Sequence, residues 1–454
     1  MDRYKFVRSL ASLTLVTGAL VLGGCFDKPP NVDYDAGPPD AEVPDAAPPC
    51  QPSTTVCDDT AGVYVECDST GMPAVVMQCP LGCASDAEKC LDVDPSNGLA
   101  SYLDRARDDD TVIDVALTGT ATVDTTTGEF SVNGTPLSVT TEVFNGIRIF
   151  MFKTLTVSGT LKATGSLPLA LVADGDIAIT GLIDVSADGT AQGPGAVTED
   201  SSCMGSLHGV SGPHPDPTPG GGGGGHYSLG ATGGGDGAGD LGYPGGDQAA
   251  DDDVVPLIGG CRGGGVNETI SIQPVMYAFS GGGGGGGAVQ IVSRHTIVLT
   301  EFGRIDASGG GGQSGTHPSG TIGGAGGGAG GVILLEAPVV TLDGTGVVLS
   351  TKGGGGASAG NGAATHQGKD GGTDMGPAVG GTGVSLASGG AGGTETSLPV
   401  AGSAGTTTGK DGGGGGGSVG QSRINTASGA AIPLNGATIR SRNTTGAVGA
   451  RVVP

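Results

Sequence analysis

The chain has 454 residues, of which 96 are glycine, none is tryptophan and only 3% are aromatic. Its formal charge of −25 argues against nucleic-acid binding, which needs clustered Lys and Arg. Charged residues are nevertheless only 14%, too few for a charge-driven disordered chain, and the shortage of ring faces weighs against stacking sites for sugars.

In chain order, a targeting segment comes first. Arg3, Lys5 and Arg8 are basic, and the apolar stretch 10–22 is short for a membrane span. It ends in Leu22-Gly23-Gly24-Cys25, a tetrad that resembles the lipobox of bacterial lipoproteins. The resemblance implies loss of residues 1–24, acylation of Cys25, and a membrane partner reached through an N-terminal lipid anchor on the outer membrane or cell surface. Stable anchoring needs more than one acyl chain. Residues 25–49 are rich in Pro, Asp and Ala and read as an extended, semi-rigid spacer.

With Cys25 set aside, the other cysteines form two even groups, as expected of an exported protein held by disulfides. Cys50, Cys57, Cys67, Cys79, Cys83 and Cys90 define a small disulfide module over 50–91, too short to fold on its core alone. Their spacing leaves the pairing open. Zinc fits poorly, because the module has no CxxC and no histidine. Cys203 and Cys261 form the second pair. Residues 92–145 should cap the strands that begin after them: Leu99, Tyr102, Leu103 and Ala106 share one helical face, and short strands then alternate with turns at Thr127-Gly128 and Asn133-Gly134.

Beyond the cap lies a repeat, broken up by its own insertions. The segments G-T-L-K-A-T-G (159–165), G-L-I-D-V-S-A (181–187), G-R-I-D-A-S-G (303–309) and G-V-V-L-S-T-K (346–352) share a register. Their third positions are Leu161, Ile183, Ile305 and Val348, and their fifth are Ala163, Val185, Ala307 and Ser350; a period of two puts both on one strand face. Two further apolar strands precede each of the later three segments. Gly159 and Gly181 lie 22 residues apart, and the longer gaps hold the same unit plus Gly-rich blocks at 188–287, 309–331 and 353–417. Three short strands in one such interval are the size of a solenoid coil, which buries a core only by stacking on its neighbours.

The rhythm over 146–443 resembles the right-handed parallel β-helix of the pectate-lyase type, and the whole chain resembles glycine-rich β-helix surface lipoproteins of Gram-negative, myxobacteria-like bacteria. The fold expected is therefore all-β: a right-handed parallel β-helix with long Gly-rich insertions, behind a small disulfide-rich module and ahead of a tail at 444–454. A β-sandwich from the same strands is the structural rival. The Gly blocks leave at one phase of the repeat, so they should emerge along one edge. They are either disordered loops or polyglycine strands of the threefold, polyproline-II type, packed so that neighbours supply the hydrogen bonds a lone strand lacks.

Chemistry is sparse. Asp184 and Asp306 occupy the fourth repeat position, outward on neighbouring coils, with Lys162 one coil earlier and Leu349 one coil later. A carboxylate pair of this kind serves sugar hydrolysis or calcium; a solvated face with a Lys162–Asp184 ion pair is the plainer reading. Asp236, Asp240, Asp247 and Asp251 lie in an acidic stretch whose oxygens suit calcium, the only cofactor suggested, though it matches no EF-hand pattern. Gly356-Ala357-Ser358-Ala359-Gly360 spells G-x-S-x-G inside a Gly-rich block, without the strand, elbow and helix that expose a nucleophile. The expectation is a non-catalytic, lipid-anchored structural or adhesion-type surface protein whose partner is a polysaccharide or another protein. The alternative is a carbohydrate-active β-helix enzyme, a lyase or hydrolase, using Asp184, Asp306 and Lys162.

Overall fold

Alternating branched apolar residues become three parallel ladders. The computed structural model describes residues 50–58, 62–84, 89–197, 203–205, 208–209, 218–249, 251–270, 276–315, 321–360, 363–383, 386–406 and 410–453; the signal segment, Cys25 and the spacer lie outside them. Successive strands visit three sheets in turn. The first sheet stacks Ile147–Phe152, Leu169–Ala173, Ala288–Ser293, Val332–Glu336, Gln421–Thr426 and Arg442–Ala447, all parallel. The second stacks Val115–Leu117, Leu155–Val157, Ile177–Ile179, Thr296–Thr300 and Val339–Asp343. The third stacks Thr120–Asp124, Thr160–Thr164, Leu182–Asp184, Arg304–Asp306, Val348–Ser350 and Thr438–Arg440.

The inward columns of the three sheets meet in one core. Leu161, Ile183, Ile305 and Leu349 are in register on the third sheet and fully buried with Ile177, Ile291 and Ile333. Burial of each such side chain contributes roughly 1.5–3 kcal/mol. A second core lies on the outer face of the first sheet. There the helix Ala100–Asp108 lays down Tyr102, Leu103 and Ala106, with Leu99, over Ile149, Met151, Val172 and Leu334.

Two boundaries and one register differ from the sequence reading. Val115–Leu117 and Thr120–Asp124 are already rungs, so the ladders begin inside the segment assigned to the cap. At the far end Arg442–Ala447 forms a further rung, and Gly449–Val453 returns to pair antiparallel with Cys90–Asp94 of the disulfide module. On the fourth repeat Leu349, not Val348, stacks on Ile305, and Ser350 stacks on Asp306. The cause is the preceding turn: 344–347 holds one residue more than 301–303, which moves every later side chain of that strand by one position.

The disulfides are Cys50–Cys67, Cys57–Cys83, Cys79–Cys90 and Cys203–Cys261. Cys90 starts the strand that receives the C-terminal return, and an ionic cluster fastens the junction. Arg294 binds Asp92, Asp104 at 3.3 Å and Asp174 at 2.8 Å, while Arg451 Nη2 binds Asp92 at 3.1 Å. Burial pushes the Asp104 carboxyl up, but the Arg451 and Arg294 guanidiniums more than offset this and hold it below its ordinary range.

The Gly-rich blocks pack as a hydrogen-bonded bundle. The run 412–418 lies at its centre. Gly412, Gly415 and Ser418 donate their N–H groups to Thr218, Gly221 and Gly224; Gly413 and Gly416 donate to Ser403 and Val400; Gly414 and Gly417 donate to Ala357 and Gly354. Its carbonyls accept from Gly324, Gly327 and Gly330, from Gly234 and Ala231, and from Gly390 and Gly393. These bonds span 2.7–3.0 Å. One run therefore donates to three neighbouring segments and accepts from three others. Every third residue meets the same neighbour, the signature of a threefold extended helix. Side chains are excluded by the spacing: a Cβ on Gly414 would fall on the Ala325 carbonyl, and one on Gly416 on that of Ala391.

Aspartates terminate these segments. Asp236 Oδ1 accepts the N–H groups of Ala238, Gly239 and Asp240, each at 2.9 Å. Asp370 Oδ1 accepts from Gly189 at 3.0 Å and Gly311 at 2.6 Å. Asp411 Oδ1 accepts the Thr218 N–H at 2.7 Å. Part of the acidic balance thus satisfies backbone donors left over where the lattice of glycine segments ends.

Candidate functional site

The outward column of the third sheet brings together a run of ionisable side chains. Its successive positions are Thr122, Lys162, Asp184, Asp306, Ser350 and Arg440, at the strand spacing of about 4.8 Å. The three residues proposed from sequence do come together. Lys162 Nζ lies 3.0 Å from Asp184 Oδ2, and Asp184 Oδ1 accepts the Ser186 hydroxyl at 2.6 Å and its N–H at 3.0 Å. Burial alone would lower the Lys162 ammonium, but Asp184's hydrogen bond and charge outweigh it and raise it above its ordinary value.

Asp306 is different. Its Oδ1 accepts the Ser308 N–H at 3.0 Å, and no cation pairs with it among the described residues. Burial pushes the carboxyl up to about 6, against the Ser308 hydrogen bonds and the Lys352 charge; the neighbouring Asp184 pushes the same way as burial.

A short strap from the third Gly-rich block, residues 371–376, passes over the half-buried Asp306. Lys352, itself buried, donates to Asp374 Oδ1 at 2.6 Å, to the Asp374 carbonyl at 3.1 Å and to the Gly376 carbonyl at 2.8 Å. Arg440 Nη1 donates to the Asp374 carbonyl, and the Ser350 hydroxyl to that of Gly372 at 2.8 Å. A Cβ on Gly372 would lie 3.9 Å from both Asp306 Oδ2 and Asp374 Oδ1. Sequence reasoning missed Lys352, Asp374 and Arg440. Arg440 could have been found by extending the repeat one rung; Lys352 and Asp374 meet only because the insertion folds back. At the other end of the column, a cavity of about 490 Å³ opens between Thr122, Asp124, Glu129, Phe130 and Leu137.

The other proposed groups do not assemble. Asp236 closes its own turn, and Asp251 Oδ1 accepts the Asp253 N–H at 3.2 Å. Among the described residues no three His, Cys, Asp or Glu side chains are placed to hold a metal ion, so Asp236, Asp240, Asp247 and Asp251 do not form a calcium cage there. Ser358 of the G-x-S-x-G match is fully buried on a bundle segment, its N–H given to the His366 carbonyl at 2.9 Å; it is no exposed nucleophile. His226 is buried, with Nδ1 lacking a partner, and burial lowers its pKa to about 4, partly opposed by the Ile258 carbonyl. Among the described residues no helix is long and apolar enough to cross a membrane.

Comparison with protein-family models, with curated proteins and with solved structures finds no match to this chain.

Proposed function

We propose that the chain is a non-catalytic, lipid-anchored structural or adhesion-type protein of the cell surface, built on a right-handed parallel β-helix. The cyclic visiting of three parallel sheets supports the β-helix, and the Leu22-Gly23-Gly24-Cys25 tetrad supports the anchor. The observation that carries the functional reading is the glycine bundle. The longest insertions, where a solenoid enzyme would place substrate loops, are instead committed to a rigid body of mutually bonded backbone. Such a body presents a fixed surface, suited to a polysaccharide or protein partner outside the cell, and holds few groups able to do chemistry. Metabolic labelling with a fatty acid tests the anchor: label should enter the wild-type chain and be absent from Cys25→Ser. Binding of isolated surface polysaccharide to the full chain tests the partner.

One observation favours a second reading, a carbohydrate-active enzyme. Burial pushes the Asp306 carboxyl up to about 6 beside Asp184, which is paired with Lys162, and a carboxyl of raised pKa next to a second carboxyl is an arrangement used in glycoside cleavage. A panel of acidic and neutral polysaccharides, with and without calcium, decides between the two. Cleavage that disappears in Asp184→Asn and Asp306→Asn would overturn the non-catalytic reading; no cleavage of any member retains it.

A further inference from the structure

The strap over Asp306 is held mainly by side chains. In the neighbouring run 353–360 every residue donates a backbone hydrogen bond, whereas 372–377 takes no part in any such pairing. The strap begins at Gly371, whose N–H goes to Gly309 at 2.8 Å, and ends at Gly376, which has φ +84°. Between these glycines its attachments are side-chain bonds from Lys352, Arg440 and Ser350. It brings no apolar anchor: Met375 is 88% exposed. A segment with few backbone bonds, no buried apolar contact and a glycine at each end lies at the low end of local stability and can swing as a hinge-bounded unit.

Beneath this loosely held segment sits the one carboxyl of the column that lacks a cation partner. Closing the strap strips water from it. A neutral carboxyl loses little by this, whereas a carboxylate loses its hydration. The charged groups around Asp306 do not cancel that cost. Asp184, on the preceding strand, repels a second negative charge and is already paired with Lys162. Lys352 directs its ammonium to three oxygens of the strap. Arg304 shares the outward face two residues earlier, and Arg440 lies two rungs away and is turned to the Asp374 carbonyl. Asp374, on the strap itself, adds a further negative charge close by.

We propose that residues 371–376 form a proton-operated cover for the outward column of the third sheet: closed while Asp306 is neutral, released when it ionises. The inference goes beyond the surface-protein reading and holds whichever reading of function is right. Linkage sets the sign. In the closed state burial holds the carboxyl up to about 6, and an open, hydrated Asp306 returns towards its ordinary 3.8. Protonation and closure therefore favour one another, and closure weakens as pH rises through about 6. Opening exposes Asp306 within a charged row in which Lys162 and Arg440 flank the two carboxyls Asp184 and Asp306.

The test uses the full-length chain carrying Ser350→Cys, which places a thiol where the hydroxyl now meets the Gly372 carbonyl. Its reaction with a maleimide is read by mass spectrometry on the peptide that contains position 350, and the rates are corrected for thiolate fraction with the unfolded chain. The corrected rate should be about tenfold faster near pH 8 than near pH 5. With Asp306→Asn added, labelling should stay slow at both; with Lys352→Gln added, it should be fast at both. Equal corrected rates at the two pH values in the Ser350→Cys chain overturn the proposal, as does an acceleration that survives Asp306→Asn. The first comparison needs neither added substitution, so a variant that fails to fold leaves the decision intact.

Discussion

The parallel ladders and the glycine bundle are parts of one chain that hold together by opposite means. In the ladders, columns of Leu, Ile and Val remove apolar surface from water, and each side chain identifies its place. In the bundle there is almost no side chain to bury. Its cohesion comes from backbone N–H and carbonyl groups that find partners on neighbouring segments, and from the close approach glycine permits. Glycine loses the most conformational freedom on ordering, so the bundle can form only where a preformed edge gathers its segments. The ladders supply that edge by launching every insertion from the same phase of the repeat.

The contrast predicts that the two regions fail differently, and the largest effect should come from a single methyl in the bundle. Gly414→Ala puts a Cβ on the Ala325 carbonyl and should cost more than about 4 kcal/mol, with hydrogen exchange rising across 220–225, 324–330 and 412–418 while the ladder amides stay protected. Simultaneous loss of ladder protection would show that the two regions are one cooperative unit. Arg294→Met leaves Asp92 buried without its main partner and should cost about 3–5 kcal/mol, read by urea unfolding at neutral pH. Ile305→Ala opens a cavity in the ladder core and should cost about 2–5 kcal/mol, with ladder protection lost first, the reverse of the glycine substitution.

Acid separates the regions by sign, with a smaller effect. His226, in the bundle, is buried neutral with its pKa lowered to about 4. The unfolded chain takes up that proton first, so this contribution is present above 6.5 and lost as pH falls towards 4; it is worth up to about 3 kcal/mol. Asp306, on the third ladder, is raised to about 6. Its folded form holds the proton longer, so stability rises as pH falls from about 6 towards 3.8. His226→Gln should flatten the acid-side loss of stability, and Asp306→Asn should stabilise the chain at neutral pH by roughly 1–2 kcal/mol, discounted for its residual exposure. A wild-type curve unchanged by either substitution would break the assignment.

Much of the ladder was legible because its signal is carried by side chains. Ile183 and Ile305 announce their column, and Lys162, Asp184 and Asp306 fall on one face by simple alternation. The fourth repeat was not legible, because Val347, Val348 and Leu349 are all apolar and nothing in their chemistry shows that the turn before them is a residue longer. The neighbours of the run 412–417 were also beyond reach, since a glycine carries no label for its partner. The strap was hidden for a related reason: Lys352 and Asp374 are joined by the path of an insertion rather than by the repeat.

The threefold bonding of the bundle gives its glycine runs something like a reading frame. In the run 412–418, donors meet the same neighbour only every third residue. Adding or deleting one residue rotates each later donor by about 120° towards a different neighbour, whereas a change of three restores the pattern. The runs should therefore tolerate length variation in steps of three and resist every other step, however alike the inserted glycines look.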